Sequence, residues 1–399
     1  MTEPERALFE LIRAAASGSP REIPATVDPI ALYRLVRHLH LSSFLWESGS
    51  RLPASPVRSA WEKDRDLAVM KDLLQTEEQA SVDAALSAAG IRFLYLKGSV
   101  LKRFWGEPSF RYMGDADFLF EGDDESLRAA LDGLGYAAEM FGSRDFSHHF
   151  VFRKEPWFIL EPHFALFDAD DPYAATLSGL FDRATPDPSL SGRYLISEED
   201  LYLHCLLHAR KHIAGSGFGV RSFLDFAFLL REYPDLPERA RVKEILSSAG
   251  LETFASRVLH VARLCSDPTL IPDEEDEREI SALFESGLFG TSENVAEKRL
   301  LAEQNRSRFP RLAFFMKRFF PPLVTMARRK IRAPLSWIVY PFFWLRHFFL
   351  YLFTKSRRSR VKASLRVISP GKKGTEDVGF ELRYFGLSPE NGKGADIRD

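Results

Sequence analysis

Two aspartates, Asp115 and Asp117, stand two residues apart before an apolar run in the stretch RYMGDADFLFEGDD (111–124). Because side chains alternate along a strand, a strand here directs both carboxylates to one face, where they lie close together. Like charges so placed repel each other unless a cation lies between them. Carboxylate oxygens are ligands that Mg²⁺ accepts together with substrate phosphates. The pair therefore predicts a Mg²⁺ site, although Asp-x-Asp is also common in turns and at helix caps.

A third carboxylate on a neighbouring strand would complete such a site. Glu161 is the candidate, because it interrupts the apolar run FILEPHFAL (158–166), which is typical of a strand. A strand has no structural need for an acid at this position. We therefore expect Asp115, Asp117 and Glu161 to be catalytic and to hold one or two Mg²⁺ ions.

The spacing of apolar residues predicts the elements that must position these carboxylates. Residues 1–80 form a helical N-terminal region, with apolar residues at intervals of three and four. Residues 81–190 alternate strands and helices, which favours an α/β or α+β domain with helices packed against a mixed sheet. Residues 191–305 are helical again. Residues 306–373 form a basic, aromatic helical region, and residues 374–399, rich in Gly and polar residues, form a flexible tail.

The composition is that of a folded protein, with 45% apolar and 28% charged residues. Two cysteines, Cys205 and Cys265, and a polar start indicate a reducing, cytoplasmic location without a disulfide framework. The net charge of −2 conceals a segregation, because residues 306–373 contain 18 Lys or Arg and no Asp or Glu, which leaves about −20 on the remainder. This asymmetry points to an anionic partner.

The stretch 335–353 within the basic region is long enough to span a bilayer. Arg346 lies inside it and Pro341 interrupts it, and a central arginine opposes insertion by about 2.5–3.5 kcal/mol. Flanking cations suit an anionic membrane surface; they are Arg328, Arg329, Lys330, Arg357, Arg358 and Arg360. Two interpretations stay open, an interfacial helix and a helical lid whose cations face the acidic remainder. Nucleic-acid binding ranks below both, because the aromatic residues do not interleave with the cations.

Four motifs occur together between residues 80 and 232: a Leu-Lys-Gly turn, an Arg before the Asp-x-Asp strand, a helix ending in Gly-Tyr, and an acid-x-His pair. Their residues are Leu96, Lys97, Gly98, Arg111, Asp115, Asp117, Gly135, Tyr136, Glu161 and His163. The combination resembles the nucleotidyltransferase superfamily of the DNA polymerase β type, most closely a bacterial group of uncharacterised nucleotidyltransferases. The resemblance implies an α+β fold with a nucleotidyltransferase-like mixed sheet and packed helices, flanked by helical N-terminal and C-terminal regions.

The resemblance also implies a reaction. It is the Mg²⁺-dependent transfer of a nucleoside monophosphate from an NTP to an unidentified hydroxyl or amine acceptor. Asp115 and Asp117 would hold the metal, and Glu161 would share it and help to deprotonate the acceptor.

The same resemblance assigns the phosphate contacts. Gly98 and Ser99, at a turn from strand to helix, would present backbone N–H groups to the nucleotide. Lys97 and Arg111 would neutralise phosphate charge. The plain alternative for Lys97 is a solvated strand end.

Two further charged residues also have structural interpretations. Arg111 could pair with Glu107 or Asp115, as surface charges do at little energetic consequence. Asp225 lies one helical turn from Arg221, which predicts an ion pair between them.

His204, His208 and His212 recur at fourfold spacing and so lie near one face of a helix. Three such histidines could bind zinc, although a partly buried stripe is the commoner arrangement. In the context of the resemblance, contact of His208 or His212 with phosphate or acceptor is favoured. His148 and His149 are interpreted as structural loop residues.

Two hypotheses from other classes compete with catalysis. Glu161 is followed by Pro162, where the superfamily has Asp followed by an aliphatic residue. This departure motivates a non-catalytic binding or scaffolding subunit of a bacterial biosynthetic pathway, placed by its basic region at the inner face of the membrane. The other hypothesis is a toxin or antitoxin that modifies RNA, which predicts a salt-sensitive RNA complex.

Overall fold

The computed structural model describes residues 1–142, 144, 147–168, 171–287, 290–304, 307–319, 344–345, 362–367 and 374–387. The chain divides into two compact units. The first comprises Met1–His208 and Val220–Glu274, and the second comprises Ala209–Gly219 and the described residues from Glu275 onward. The five segments predicted from the sequence stay a prediction.

Helices lie before, between and after the strands of the first unit, and one of them, Glu198–Gly215, continues into the second unit. They are α1 (Glu3–Ala16), α2 (Pro29–His38), α3 (Trp46–Ser50), α4 (Pro56–Ala88), α5 (Lys97–Leu101), α6 (Asp124–Gly133), α7 (Leu180–Arg183), α8 (Glu198–Gly215), α9 (Val220–Glu232), α10 (Ala240–Ala249) and α11 (Glu252–Leu264). Short 3₁₀ turns cover Lys102–Phe104, Pro108–Phe110 and Leu236–Glu238. The residues that α1 buries, among them Leu8, Leu11 and Ile12, recur at helical spacing, as an amphipathic helix requires.

The strands form one large sheet and one small one. They are β1 (Arg92–Tyr95), β2 (Ala116–Glu121), β3 (Ala137–Met140), β4 (Val151–Lys154), β5 (Phe158–His163), β6 (Thr185–Pro186) and β7 (Tyr194–Leu195). The five-stranded sheet has the order β1-β2-β5-β4-β3, and β6 pairs with β7. In the large sheet β2 and β5 are parallel, whereas the other neighbours are antiparallel. The predicted α+β class with a mixed sheet is therefore confirmed.

One face of the large sheet forms a hydrophobic core with the helices. Phe118 of β2 and Phe152 of β4 are fully buried there, against Leu86 of α4 and Leu127 of α6. Burial of each such side chain contributes about 1.5–3 kcal/mol. Because side chains alternate along a strand, Asp117 points to the face opposite Phe118. The apolar positions of β2 thus fix which face receives the carboxylate.

The second unit is helical in its described residues. Its elements are α12 (Glu274–Ser286), α13 (Ser292–Gln304), α14 (Pro310–Phe319), a helical stretch at 362–367 and α15 (Gly374–Tyr384). Ala296, Leu300, Phe314 and Val367 form a small buried core.

Residues 374–387 belong to the segment 374–399, for which the sequence predicts a flexible tail. This stretch contains α15, in which Val378 and Leu382 are buried, and Phe385 just after it is buried as well. These apolar residues recur at intervals of three and four, so they line one side of the helix. The Gly and polar residues of the wider segment obscured this pattern.

No helix among the described residues combines the length and apolar character needed to cross a bilayer. The stretch 335–353 lies outside the described residues, apart from Trp344 and Leu345. The interfacial-helix and lid interpretations of this stretch therefore stay predictions.

Candidate active site

Asp117 of β2 lies directly opposite Glu161 of β5 in the parallel register of the two strands. Residues paired in this way direct their side chains to the same face of the sheet. Ligand atoms of Asp117, Glu161 and His163 lie within 4.8 Å of one another. Asp115 comes immediately before β2, and alternation places it on the same side as Asp117. The fold thus gathers the three predicted carboxylates at one place, together with a histidine.

Lys97 lies at the junction of β1 and α5, and its backbone is unusual. Its φ is +42°, in the left-handed region, which costs a residue other than glycine about 1–2 kcal/mol. Two contacts hold this junction against β2: Leu96 N donates to Asp117 O at 3.0 Å, and Lys97 Nζ donates to Asp117 Oδ1 at 3.2 Å. The strained backbone therefore occurs where the ammonium group meets the carboxylates, as is typical of functional sites.

The three carboxylates have different proton affinities. Burial raises the pKa of Asp117, but the charge of Lys97 and a hydrogen bond from His163 Nε2, at 3.0 Å, outweigh it and hold this pKa well below its usual range. Burial and then the charge of Asp117 raise the pKa of Asp115. Burial and the charges of both aspartates raise the pKa of Glu161 to about 7. This concentration of negative charge favours either a proton or a bound cation.

Three imidazoles adjoin the carboxylates. Burial lowers the pKa of His163 to about 4, although Asp117 favours the charged form. Burial, followed by the neighbouring His163 and His148, lowers the pKa of His149 to about 3. His149 Nε2 lies 3.8 Å from Glu161 Oε2. His148 and His149, interpreted from the sequence as structural loop residues, therefore belong to this cluster. Of the three histidines, the acid-x-His motif predicted only His163.

Gly98 allows the guanidinium of Arg111 to approach the turn that carries Lys97. A Cβ at this position would lie 2.6 Å from Arg111 Nη1 and 3.4 Å from Met113 Cγ. The first distance is shorter than non-bonded contacts permit, so a larger residue would displace Arg111. In the next residue, Ser99, the hydroxyl Oγ is buried and has no hydrogen-bond partner within the described part of the chain.

The predicted ion pair between Asp225 and Arg221 is wrong. Asp225 Oδ1 and Oδ2 instead accept from Arg111 Nε and Nη2, at 2.6 and 2.7 Å, and Trp105 Nε1 donates to Oδ1 at 2.9 Å. The planar guanidinium satisfies both carboxylate oxygens in a buried setting, which one helical turn of spacing does not achieve. The phosphate contact predicted for Arg111 would have to use Nη1, which lies beside Gly98.

The three histidines of α8 differ in their surroundings. His204 is buried, and burial holds its pKa well below the usual value. Its ring stacks on that of His208, with 6.2 Å between the centroids. His212 belongs to the second unit, where its Nδ1 and Ser216 Oγ form a hydrogen bond of 2.9 Å. Contact of His208 or His212 with phosphate or acceptor stays a prediction.

Comparison with known proteins gives one finding. A family model described as an uncharacterised nucleotidyltransferase matches residues 25–267, a range that contains the whole large sheet and the carboxylate cluster. The comparison finds no match among curated proteins or solved structures. Since the family is one of nucleotidyltransferases, the match supports a nucleotidyl-transfer reaction with an NTP substrate. It also confirms the resemblance found in the motifs: the chain belongs to the uncharacterised nucleotidyltransferase family.

Proposed function

We propose that the protein is a Mg²⁺-dependent nucleotidyltransferase of the DNA polymerase β type, which transfers a nucleoside monophosphate from an NTP to a hydroxyl or amine acceptor. The observation that carries this proposal is the pairing of Asp117 with Glu161 on adjacent parallel strands. Asp115 precedes Asp117 on the same side, and the ammonium of Lys97 lies 3.2 Å from Asp117 Oδ1. Such a group of acids and one cation around a sheet face suits charged phosphate chemistry.

The donor set fits magnesium. Asp115, Asp117 and Glu161 supply carboxylate oxygens, the ligands that Mg²⁺ prefers, and their mutual repulsion favours a cation between them. When bound, one or two Mg²⁺ ions would neutralise and orient the triphosphate. A bound cation would explain why three acids lie on one side of this sheet.

Glu161 would act as the general base. In the metal-free cluster, burial and the charges of both aspartates raise its pKa to about 7, whereas the pKa of Asp117 is held well below its usual range. Glu161 is therefore the better proton acceptor of the two. Glu161 would accept the proton of the acceptor hydroxyl while the acceptor oxygen attacks the α-phosphorus. The bond from that phosphorus to the β-phosphate oxygen breaks, and pyrophosphate leaves.

Residues around α5 would bind the triphosphate. Lys97 Nζ offers a positive charge, and the backbone N–H groups of Gly98 and Ser99 offer hydrogen bonds. Ser99 Oγ, which has no hydrogen-bond partner among the residues that the structure describes, adds a further hydrogen-bonding group in the same turn. Arg111 Nη1, beside Gly98, would reach the same anion.

A calorimetric titration tests this proposal. ATP, GTP, CTP and UTP are titrated into the purified protein, with Mg²⁺ and then with EDTA. We expect binding of at least one NTP that requires Mg²⁺ and weakens at least about 100-fold when Asp115→Asn and Asp117→Asn are combined, because two metal ligands lose their charge. Asp123→Asn is the matched control, since Asp123 is the exposed N-cap of α6 and asparagine caps equally well.

Two results would contradict the proposal: intact NTP turnover in the double variant, or NTP affinity that is indifferent to Mg²⁺ and to both substitutions. A folded protein that binds no nucleotide would favour the non-catalytic scaffolding alternative. Circular dichroism of both variants separates loss of binding from loss of fold.

We also propose, from the sequence, that the protein is cytoplasmic. Residues 306–373 would contact the anionic inner surface of the membrane. Eighteen Lys or Arg residues without an acid in this segment support it through attraction to anionic lipids. Sedimentation with vesicles of anionic and of neutral lipid tests the membrane contact, which should occur with the anionic vesicles and weaken as salt is added.

A further inference from the structure

Three histidines, His148, His149 and His163, form a group that the nucleotide chemistry does not use. One potential ligand atom of each lies within 4.8 Å of the others. His149 and His163 pair in an isolated antiparallel bridge, and their ring centroids lie 5.0 Å apart. The ring centroid of His148 lies 5.2 Å from that of His163. Backbone pairing therefore gathers three imidazoles from two separate segments.

Two of these imidazoles are oriented by carboxylates. His148 Nδ1 lies 2.7 Å from Asp168 Oδ1, and His163 Nε2 lies 3.0 Å from Asp117 Oδ1. A carboxylate that accepts the proton of one ring nitrogen fixes the tautomer, so the other nitrogen presents its lone pair. Histidines that bind metals are held in this manner. The nitrogens so presented are Nε2 of His148 and Nδ1 of His163.

The remaining nitrogens have an unusual environment. His163 Nδ1 and His149 Nδ1 are both buried and have no hydrogen-bond partner among the described residues. Leaving a buried polar atom without a partner costs about 1–3 kcal/mol, and such atoms in native structures call for an explanation. Two of them in one cluster of three imidazoles point to a shared ligand.

We propose that His148, His149 and His163 bind one divalent transition-metal ion of the zinc class. Imidazole nitrogen suits Zn²⁺ and related ions, whereas Mg²⁺ selects oxygen ligands. A site of three histidines that keeps a further position open is an established zinc arrangement. The side chain of His149 is 20% exposed, which gives an ion access from solvent. The ion would fasten the segment that carries His148 and His149 to β5, next to the carboxylates.

Cobalt serves as the probe, because Co²⁺ bound by nitrogen ligands absorbs visible light. Co²⁺ is titrated into the EDTA-treated, dialysed full chain. We expect one Co²⁺ per chain to give the visible band, to be displaced by Zn²⁺ and to persist in excess Mg²⁺, which competes for carboxylate oxygens but not for imidazole nitrogens. The combined substitutions His148→Asn and His149→Asn should remove the absorption band. Asp168→Asn should weaken Co²⁺ binding about 10–100-fold through loss of the orienting carboxylate. His38→Asn, outside the cluster, is the control and should leave the band unchanged.

Absence of a band in the wild type, or Co²⁺ affinity unchanged in the double variant, would overturn the proposal and leave the imidazoles as a packed structural cluster. Asp168→Asn keeps the test valid if the double variant does not fold. The variants retain Asp115, Asp117 and Glu161, so Mg²⁺-dependent nucleotide binding is measured separately. A failure of the histidine site is thereby distinguished from a failure of the proposed transferase.

Discussion

Two regions of this molecule bury carboxylates beside a lysine, one in each unit. At the candidate active site, Lys97 Nζ and His163 Nε2 both donate to Asp117. In the second unit, Lys298 Nζ lies 2.8 Å from Glu381 Oε2 and donates to the backbone O of Ile213 at 2.6 Å. Each region therefore neutralises one buried carboxylate. Further carboxylates lie nearby, Asp115 and Glu161 in the first region and Glu279 in the second, and their charged forms cost free energy unless a proton or cation binds.

The difference lies in access and strain. Lys97 and Glu161 keep 17% and 25% of their side chains exposed, and Lys97 has a left-handed backbone. Lys298 has no exposure and Glu381 has 9%. The group of Lys97, Asp115, Asp117 and Glu161, called the open cluster, has the access and backbone strain that are typical of ligand-binding sites. The buried pair of Lys298 and Glu381, called the sealed cluster, instead links α13 and α15 within the second unit.

The largest expected effect comes from Lys298→Met in the sealed cluster. Removing the ammonium leaves Glu381 buried without its partner, and breaking a buried pair from one side costs about 3–5 kcal/mol. Urea denaturation should show this loss of unfolding free energy, while Mg²⁺-dependent NTP binding in the folded protein stays at the wild-type level.

Lys243→Met is the control for that substitution. Lys243 pairs with Glu238 at 2.6 Å, and both side chains are more than half exposed, so its loss should cost at most about 1 kcal/mol. Equal effects of the two substitutions would show that Lys298 does not neutralise a buried charge. The contrast between a sealed and an open cluster would then fail.

The strain at the open cluster can be isolated by comparing Lys97→Gly with Lys97→Ala. Both substitutions remove the ammonium, so both should weaken NTP binding about equally. Only glycine adopts a left-handed φ without strain, so we expect Lys97→Gly to be about 1 kcal/mol more stable than Lys97→Ala in urea denaturation. If alanine is as stable as glycine, the turn is unstrained and this distinction between the two regions disappears.

Local sequence patterns predicted the sheet, because apolar runs bounded by turn residues mark strands such as β2 and β5. They also brought Asp115, Asp117 and Glu161 into one hypothesis. They could not give the partner of Asp225, since Arg111 lies 114 residues away and pairs through tertiary packing, whereas helical spacing favoured a residue one turn distant.

The histidine cluster was missed for a related reason. His148 and His149 have no periodic pattern, so a loop was the natural interpretation. Their position depends on the bridge between His149 and His163, which a single sequence does not reveal. The helix α15 was missed because polar and glycine residues dominate the composition of its wider segment.

A pH-dependent effect is expected for Glu279 of α12, which the charges of Glu381 and Lys298 affect in the second unit. It has no exposed surface, and neither carboxylate oxygen has a hydrogen-bond partner among the described residues. Burial, and next the charge of Glu381, raise the pKa of Glu279 well above 4.5, while Lys298 opposes them. The folded state therefore holds this proton more tightly than the unfolded state does.

The sign of the pH dependence follows from this raised pKa. The stability associated with protonated Glu279 is fully present below the unfolded pKa of about 4.3 and is lost as pH rises towards the folded pKa. Glu279→Gln is neutral at every pH, so it should exceed the wild type by about 1–2 kcal/mol in unfolding free energy at pH 8 and by less at pH 5. Urea denaturation at pH 5, 6, 7 and 8 measures the difference, with the exposed Glu275→Gln as a control that should show no such trend.

A Glu279→Gln variant that is less stable than the wild type across this range would mean that the carboxylate is charged and hydrogen-bonded when folded. The sealed cluster would then stabilise Glu279 as an anion, as the open cluster does Asp117.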